Sequence, residues 1–333
     1  MGNSISAVIV TFNRQNDFLR CIDAVFMQSI NLDNVIIVNN ASTDNTLKIL
    51  NEKFSFSQYT EKLPIETDDV VYEASVSKFN ESVIYLLNLQ KNTGGAGGFY
   101  TGLKFAHQNL KTDYYWLMDD DGYPSDNCLE MLVSKSLSDK LDYVMPVSLD
   151  INHHEKLSWF VHKPNKEKTD AYQELRDSWG PIMDFVVPFN GVLLTKNIVE
   201  NVGYINKDFF IWGDDYEHFF RCKKAGFNPV TYLDAKFYHP SQTVSSCKMC
   251  FGLFRISYTE SKLRFYCMIR NWTYIYLRYN QKIKVPIKYL MYLWFFMFTR
   301  HFDIAGWKLY KKAVKAGKTN DFTGHFEYLI KKS

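Results

Sequence analysis

The sequence predicts an α/β fold, in which a mostly parallel sheet is flanked by helices, followed by a C-terminal helical region rich in aromatic and basic residues. Over the first 120 residues, short apolar runs rich in β-branched side chains alternate with segments of helical periodicity. That alternation is typical of a parallel sheet covered by helices. From Lys262 onward the composition changes, and aromatic and basic residues dominate.

Four apolar runs give the predicted strands of the N-terminal half. Residues 5–11 and 34–38 are continuous and rich in valine and isoleucine, as in strands that are buried on both faces. Further strands are predicted near residues 83–89 and 114–118. Because ligands of such sheets bind beyond the carboxyl ends of the strands, the polar residues that follow these runs are candidates for a binding site.

Helical patterns separate these runs. Residues 18–26 place apolar side chains at helical spacing after the first strand. Thr43 and Asp44 can cap a second helix, and a glycine-rich turn at residues 94–98 leads into a third.

The alternation of strand-like runs and helical spacing is weaker in the middle of the chain. Residues 150–180 are polar, and we expect an irregular insertion there. Helical spacing resumes at residues 216–225 and is ended by Gly226, and a short strand is predicted at residues 230–233.

The C-terminal region is distinguished by its charge. Residues 262–333 hold 15 Lys and Arg against 3 Asp and Glu, whereas residues 1–261 have a net charge of −9. Residues 289–299 are apolar or aromatic apart from one threonine, and this run is too short for a transmembrane helix, which needs about 20 residues. Aromatic residues with lysines favour a helix lying in the membrane interface. The alternative is a helix packed on the rest of the protein with a solvated basic face.

These contrasts predict two domains, residues 1–240 and residues 241–333. The content of 46% hydrophobic and 23% charged residues is ordinary for a globular protein. The six cysteines show no disulfide framework, and the N-terminus runs directly into the first predicted strand. We therefore expect a cytoplasmic protein in a reducing compartment.

The acidic triplet Asp119–Asp121 is the first candidate site. Alternate residues of an extended segment point the same way, so Asp119 and Asp121 can bind one cation. Carboxylate oxygens suit Mg²⁺ or Mn²⁺, and a pair of them suits a cation that also bridges phosphates. His239 follows the last strand of the first domain and can supply a third ligand. A solvated acidic turn is the alternative.

A second acidic cluster lies at the predicted helix start near residue 214. Asp214, Asp215 and Glu217 follow Trp212 closely. Acids in the first turn of a helix also stabilise its N-terminus, which is sufficient to explain Asp214. A carboxylate at a helix start near a substrate pocket can serve as a general base.

The segment Asn92–Phe99 contains four glycines before a helix. Glycines such as Gly95 and Gly97 let the backbone approach a ligand and direct N–H groups at a phosphate. A dinucleotide fingerprint would need glycine at position 100, where this chain has Tyr100, and it would follow the first strand. A Walker A loop is excluded because no Gly-Lys-Ser/Thr follows.

Taken together, these segments resemble the inverting glycosyltransferases of family 2, which have the Rossmann-like GT-A fold. The resemblance covers about residues 5–240. The motifs that carry it are Ala7–Arg14, Val38–Asp44, Asp119–Asp121, Asn190-Gly191 and Trp212–Glu217. Within the family, Asn92–Phe99 is most similar to the bacterial galactofuranosyltransferases, and rhamnosyltransferases are close relatives.

The resemblance implies a role for each candidate residue. The nucleotide-sugar donor would be bound by Thr11, Asn13, Asn40, Asp44, Asn92, Gly95, Gly97 and Asp120. Many relatives have aspartate at the position of Asn40. Mn²⁺ or Mg²⁺ would be held by Asp119, Asp121 and His239. Asp215 matches the catalytic base, and the acceptor would be bound by Trp212, Asp214 and Glu217.

The implied reaction transfers galactofuranose from UDP-galactofuranose, with inversion, to a hydroxyl of a lipid-linked bacterial surface glycan. The enzyme would be peripheral on the inner face of the plasma membrane, with its C-terminal region on anionic lipid. Nucleic acid is not an expected partner. The alternatives are a rhamnosyltransferase that uses dTDP-rhamnose, a nucleotidyltransferase that releases pyrophosphate, and a non-catalytic glycan-binding relative.

Overall fold

The computed structural model describes residues 3–56, 72–184, 189–241, 246–249 and 254–329. The chain divides into two compact units. The first comprises residues 1–207 and 218–242, and the second comprises residues 208–217 and 243–333. A short segment from the middle of the chain, residues 208–217, thus groups with the C-terminal residues, whereas the sequence predicted a single boundary at residue 240.

The first unit is built on a mixed sheet. Its strands are β1 (Ile5–Thr11), β2 (Asn34–Asn39), β3 (Tyr72–Phe79), β4 (Ser82–Leu89), β5 (Tyr114–Asp119), β6 (Tyr123–Pro124), β7 (Tyr143–Asp150), β8 (Lys156–His162), β9 (Lys168–Ala171), β10 (Ile182–Met183), β11 (Asn190–Thr195) and β12 (Val230–His239). The main order is β10-β12-β7-β11-β5-β1-β2-β4-β3. Within the described residues, β1, β2, β4, β5, β7 and β12 run in one direction. The mostly parallel sheet is therefore confirmed.

Helices cover both faces of this sheet. They are α1 (Gln15–Phe26), α2 (Thr46–Phe54), α3 (Gly94–Asn109), α4 (Cys128–Asp139), α5 (Tyr172–Trp179), α6 (Lys196–Val202) and α7 (Asp214–Lys224). Ala7 and Ile9 of β1 pack with α1, α2 and α4, whereas Val8 and Val10 pack with α3 and α6. Because alternate side chains of a strand point to opposite faces, successive β1 side chains lie in two separate cores. This is the helix–sheet–helix layering that was predicted.

Two local predictions were wrong. Residues 150–180 are not irregular, because β8 and β9 form a hairpin that is followed by α5. The glycine-rich segment is not a turn before a helix, because α3 begins at Gly94 itself. A Cβ atom on Gly98 would lie 2.5 Å from Cγ1 of Val10, and one on Gly102 would lie 2.4 Å from Cγ1 of Val8. These glycines therefore allow α3 to pack closely on β1.

The second unit is mainly helical, as predicted for the C-terminal region. It contains a hairpin of β13 (Ser246–Met249) and β14 (Phe254–Ser257), then α8 (Lys262–Arg278), α9 (Lys284–Trp294), a π-helical turn (Phe295–Thr299) and α10 (Ile304–Thr319). Its core is aromatic, with Tyr292 stacked on Tyr310 at 4.6 Å between ring centroids. Within the described residues, no helix combines the length and the hydropathy needed to cross a membrane.

Candidate active site

The carboxyl ends of β1, β2 and β5 bring several predicted donor-binding residues to one edge of the sheet. Thr11 pairs in register with Asn39, and Val10 pairs with Asp119. The backbone N–H of Asn40 donates to the carbonyl of Thr11 at 2.9 Å. The parallel register therefore places Thr11, Asn40 and the start of the acidic triplet on adjacent strand ends.

A cleft of about 460 Å³ lies beside these strand ends, where α1 and α2 begin. It is lined by Asn13, Arg14, Gln15, Asn16, Asp17, Asp44 and Asn45. Asn13 has a left-handed backbone with φ of 55°, and its side-chain oxygen accepts from the N–H of Thr43 at 2.7 Å. This bond fixes the two loops against each other. The volume is within the usual range for small-ligand sites.

Besides lining this cleft, Asp44 binds the first residue of α2. Its carboxylate accepts from the N–H of Thr46 at 3.1 Å, and also from the Thr46 hydroxyl, at the start of α2. Burial acts to raise the pKa of Asp44, but the hydrogen bonds from Thr46 outweigh it and lower the pKa. Asp44 is therefore an ionised acceptor, which suits a hydroxyl-bearing ligand.

Asn40 connects β2 to the glycine-rich start of α3. Its side-chain NH₂ donates to the carbonyl of Gly94 at 2.9 Å, and its side-chain oxygen accepts from the N–H of Thr93 at 2.8 Å. Aspartate cannot donate to a carbonyl, so these two bonds explain why this chain has asparagine there. Asn92 accepts from the N–H of Gly94 at 2.7 Å.

The acidic triplet is divided between different partners. Asp119 is half-buried at the end of β5, whereas Asp120 is only 4% exposed. Arg14 forms ion pairs with both Asp120 and Asp121. Burial raises the pKa of Asp120 to about 7, against the lowering effects of Thr11 and Arg14.

Asp121 and His239 are the best-defined candidate metal ligands. Nε2 of His239 lies 3.1 Å from Oδ1 of Asp121, and its Nδ1 lies 2.7 Å from the carbonyl of Pro240. Since a carbonyl only accepts, Nδ1 carries a proton, and Nε2 is the ring nitrogen that faces the carboxylate. Burial acts to raise the pKa of Asp121, but the bond with His239 and the charge of Arg14 outweigh it and lower the pKa.

This pair fits a divalent cation that is also bound by substrate. Imidazole nitrogen and carboxylate oxygen are both metal ligands, and here one of each lies side by side. Among the residues that the structure describes, no group of three His, Cys, Asp or Glu side chains forms a metal cluster. The diphosphate would therefore complete the coordination, and the assignment of Asp119 as a ligand stays a prediction.

The predicted base, Asp215, lies in the second unit. Phe210, Trp212 and Gly213 have φ angles of 65°, 65° and 88°, so three left-handed residues turn the chain sharply into α7. Asp214 and Asp215 occupy the first turn of that helix. Burial raises the pKa of both carboxyls, and the neighbouring charge of Asp215 raises that of Asp214 further.

Two residues that the sequence analysis missed hold this turn in place. The Asn271 side-chain NH₂ donates to the carbonyls of Phe209, Ile211 and Trp212 at 3.0, 2.9 and 2.7 Å. Arg270 donates to the carbonyl of Phe209 at 2.7 Å. Both side chains are fully buried in α8. The only signal in the sequence was an adjacent Arg-Asn pair within an otherwise aromatic helical face.

Glu217, a predicted acceptor-binding residue, already has partners within the protein. The hydroxyl of Tyr279 donates to its Oε1 at 2.7 Å, and its N–H donates to the carbonyl of Gly213 at 2.8 Å. Glu217 is only 3% exposed. These contacts give Glu217 a part in fixing the start of α7.

The family model described as Glycosyl transferase family 2 matches residues 6–200, more than half of the chain. The chain belongs to glycosyltransferase family 2. It is therefore a glycosyltransferase, and a family 2 glycosyltransferase implies a nucleotide-sugar donor and a glycan acceptor.

Relatives of this family 2 chain match most of its length. It is 24% identical over 323 residues to galactofuranosyltransferase GlfT1 of Mycolicibacterium smegmatis, which covers 96% of this chain and 97% of the relative. It is also 24% identical to galactofuranosyltransferase GlfT1 of Mycobacterium tuberculosis, with 90% and 91% of the two chains covered. The resemblance to galactofuranosyltransferases is thus confirmed.

Solved structures support the fold. The structure of S. aureus TarS residues 1–349 matches 97% of this chain and 89% of its own, with TM-score 0.50 and 14% identity. The chain spans only 44% of the longer TarS structure. GalNAc-T7, crystallised with UDP, GalNAc and Mn²⁺, matches 71% of this chain and 43% of its own, with TM-score 0.50 and 12% identity. At such identities these structures show the fold alone, and they agree with the GT-A prediction.

Proposed function

We propose that this glycosyltransferase transfers galactofuranose from UDP-galactofuranose, with inversion, to a hydroxyl of a lipid-linked bacterial surface glycan. The observation that carries this proposal is the end-to-end similarity to galactofuranosyltransferases, which covers 96% of the chain and 97% of the relative. The segment Asn92–Phe99, which resembles those enzymes most, supports the same sugar.

The donor nucleotide is assigned to the cleft at the ends of β1 and β2. Asn13 and Asp44 line this cleft, and the ionised Asp44 can accept hydrogen bonds from ribose or base. Asn40 holds the start of α3 through one N–H and its side-chain oxygen, and its contact with the nucleotide stays a prediction. A Cβ atom placed on Gly95 would meet no heavy atom within 4 Å, so a diphosphate has room to approach the first turn of α3.

Asp121 and His239 are the proposed ligands of a divalent cation. When bound, such a cation neutralises charge on the departing nucleoside diphosphate. In the structure the same carboxylate is paired with Arg14. Arg14 thus compensates the negative charge of Asp121, and its guanidinium is also suited to phosphate.

Asp215 is the proposed general base. It accepts the proton of the acceptor hydroxyl as that oxygen bonds to the anomeric carbon, and the bond from that carbon to the diphosphate breaks. A single displacement of this kind inverts the anomeric configuration. General base catalysis contributes about 10²–10⁴-fold to such a step. Trp212 and Asp214 are assigned to the acceptor because they flank the turn that presents Asp215.

The acceptor is assigned to a lipid-linked glycan at the inner face of the plasma membrane. The support is the net charge of +12 in residues 262–333 together with the aromatic run at residues 289–299. Lysines beside aromatic residues favour an anionic membrane surface.

A donor panel tests the proposal. Binding and slow hydrolysis would be measured for UDP-galactofuranose, UDP-galactopyranose, UDP-glucose and dTDP-rhamnose, with Mn²⁺, with Mg²⁺ and with chelator. Metal-dependent release of UDP from the furanose donor alone is the expected result. Preference for dTDP-rhamnose would overturn the assignment of galactofuranose and leave the proposed mechanism unchanged. Failure to bind any of the four donors would overturn the proposed activity.

A further inference from the structure

The second unit carries an exposed apolar stripe. It consists of six side chains that are between 38% and 69% exposed: Ile283, Ile287, Leu290, Trp294, Phe298 and Phe302. Large apolar side chains are exposed singly on most proteins, but a contiguous row of six is not ordinary surface.

The stripe is contiguous because of its spacing. Its first four members are separated by four, three and four residues, so at 100° per residue they fall within about 60° on α9 and the helical residue Ile283 that precedes it. The π-helical turn that follows continues the row, since the rings of Trp294 and Phe298 lie 4.3 Å apart and those of Phe298 and Phe302 lie 6.5 Å apart.

The stripe is not part of the core of the second unit. The same helical segment buries Tyr292, Phe295 and Phe296 on its other side. There Tyr292 and Phe296 contact Phe265, and Phe295 contacts Tyr258. This helix is therefore apolar on two faces, and internal packing uses only one. A helix that needed a single buried face would be polar on the other.

The surroundings of the stripe are basic. Residues 281–320 contain nine Lys and Arg and a single acidic residue, Asp303. Two of the nine are paired with acids outside this range, Arg300 with Glu260 and Lys312 with Glu327. On α10, which begins two residues after the stripe ends, Lys308, Lys311 and Lys315 share one helical face with Ile304, and all four are exposed. The partner of this surface must therefore present both apolar and anionic chemistry.

We propose that the apolar stripe inserts into the interface of an anionic lipid bilayer, while the lysines of α10 contact lipid phosphates. The combination of Trp, Phe and aliphatic side chains with flanking lysines matches the chemistry of that interface. Charge complementarity selects lipid over a second copy of the chain, because a second copy would bring another set of lysines. The inference deepens the proposed function by naming the surface that meets the membrane.

Vesicle binding tests this surface. The full chain would be floated with vesicles of phosphatidylcholine alone or mixed with phosphatidylglycerol. We expect binding at least tenfold tighter to the anionic vesicles, and at least a tenfold loss for the double variant Leu290→Ser with Phe298→Ser. The matched control is Leu137→Ser with Phe160→Ser, which removes side chains of similar exposure from the first unit and should bind like the parent protein.

The charge contribution has its own variants. Replacement of Lys308, Lys311 and Lys315 by glutamine should weaken binding to anionic vesicles at least tenfold and leave any weak binding to phosphatidylcholine unchanged. Replacement of the exposed Lys48, Lys111 and Lys196 of the first unit by glutamine is the control for net charge. Equal losses in both sets would show nonspecific attraction and would overturn the assignment of the α10 face.

Three further results would overturn the proposal: no vesicle binding, binding that survives the Leu290/Phe298 double variant, or a dimer in sedimentation that this variant dissociates.

The test is separate from that of the proposed function, because hydrolysis of a soluble nucleotide sugar does not need lipid. Hydrolysis should be unchanged in the stripe variant. Loss of vesicle binding with normal hydrolysis supports the stripe, whereas a failed donor panel with stripe-dependent binding overturns only the sugar chemistry.

Discussion

The side-chain amide of Asn271 donates a hydrogen bond to the backbone carbonyl of Trp212, 2.7 Å away. The same amide reaches the carbonyls of Phe209 and Ile211, so one side chain in α8 spans the turn that precedes Asp215. Left-handed residues other than glycine are strained by about 1–3 kcal/mol each, and this turn contains two, Phe210 and Trp212. Asn271 therefore stabilises a backbone that would otherwise relax.

Substitution of Asn271 by alanine is expected to impair transfer through the position of Asp215. The loss of buried hydrogen bonds costs about 1–3 kcal/mol for each group left unsatisfied, which is enough to loosen the turn. We expect kcat to fall at least tenfold while the Kd for the nucleotide sugar stays within twofold. Steady-state kinetics and donor titration would measure the two quantities on the same preparation.

The control for this variant is Asn201→Ala, on the exposed surface of α6, which should retain kcat. A lower melting temperature without any change in kcat would mean that Asn271 is structural only. Such a result would show that Asn271 does not position Asp215.

Substitution of Asp215 by asparagine should remove the proposed base and little else. Asparagine has nearly the same size as aspartate. Its side-chain oxygen can still accept the hydrogen bond from the N–H of Tyr216. We expect transfer to slow by about 10²–10⁴-fold, with donor affinity retained. Asp126→Asn, an exposed acid in the first unit, is the matched control, and near-normal transfer by Asp215→Asn would refute the assignment.

The pH dependence of transfer should reflect the burial of Asp215. A base acts when it is deprotonated, and burial raises the pKa of this carboxyl above its ordinary value of 3.8. The rate should therefore fall, as the pH is lowered, at a pH above that expected for an exposed aspartate. The check is a profile of kcat/KM in buffers of constant ionic strength, and a rate that stays flat down to pH 4 would argue against Asp215.

The sheet was predictable, and the anchoring of the turn before Asp215, the proposed base, was not. The strands β1, β2 and β5 are continuous apolar runs, and their order along the chain fixed which polar residues follow them. The contact between Asn271 and Trp212 joins residues 59 positions apart, and no periodicity marks such a pair. The β8–β9 hairpin was missed because polar and charged residues such as Lys156, Lys168 and Asp170 obscure the alternation of its strands.

Removal of the imidazole in His239→Ala should weaken the binding of Mn²⁺ in the presence of UDP. Asp121 then keeps its pairing with Arg14 but loses the neighbouring nitrogen ligand. We expect at least a tenfold rise in the Kd for Mn²⁺, measured by calorimetry with UDP present, so that the readout does not depend on turnover. His153→Ala, which changes an exposed histidine, should leave that Kd unchanged, and an equal effect of both variants would contradict the proposed pair.

Two glycines in the first turns of α3 should respond oppositely to alanine. A Cβ at position 98 would lie 2.5 Å from Cγ1 of Val10, so Gly98→Ala forces α3 away from β1 and should lower the free energy of unfolding by about 1–3 kcal/mol. At Gly95 a Cβ meets nothing within 4 Å, so alanine should preserve or raise stability by up to about 1 kcal/mol through its helix propensity. Urea unfolding of both variants measures this difference.

Donor titration of the stable Gly95→Ala protein then isolates the proposed diphosphate contact, because a methyl group there occupies space that the ligand needs. Unchanged donor affinity in that variant would leave the glycines of α3 with a packing role only.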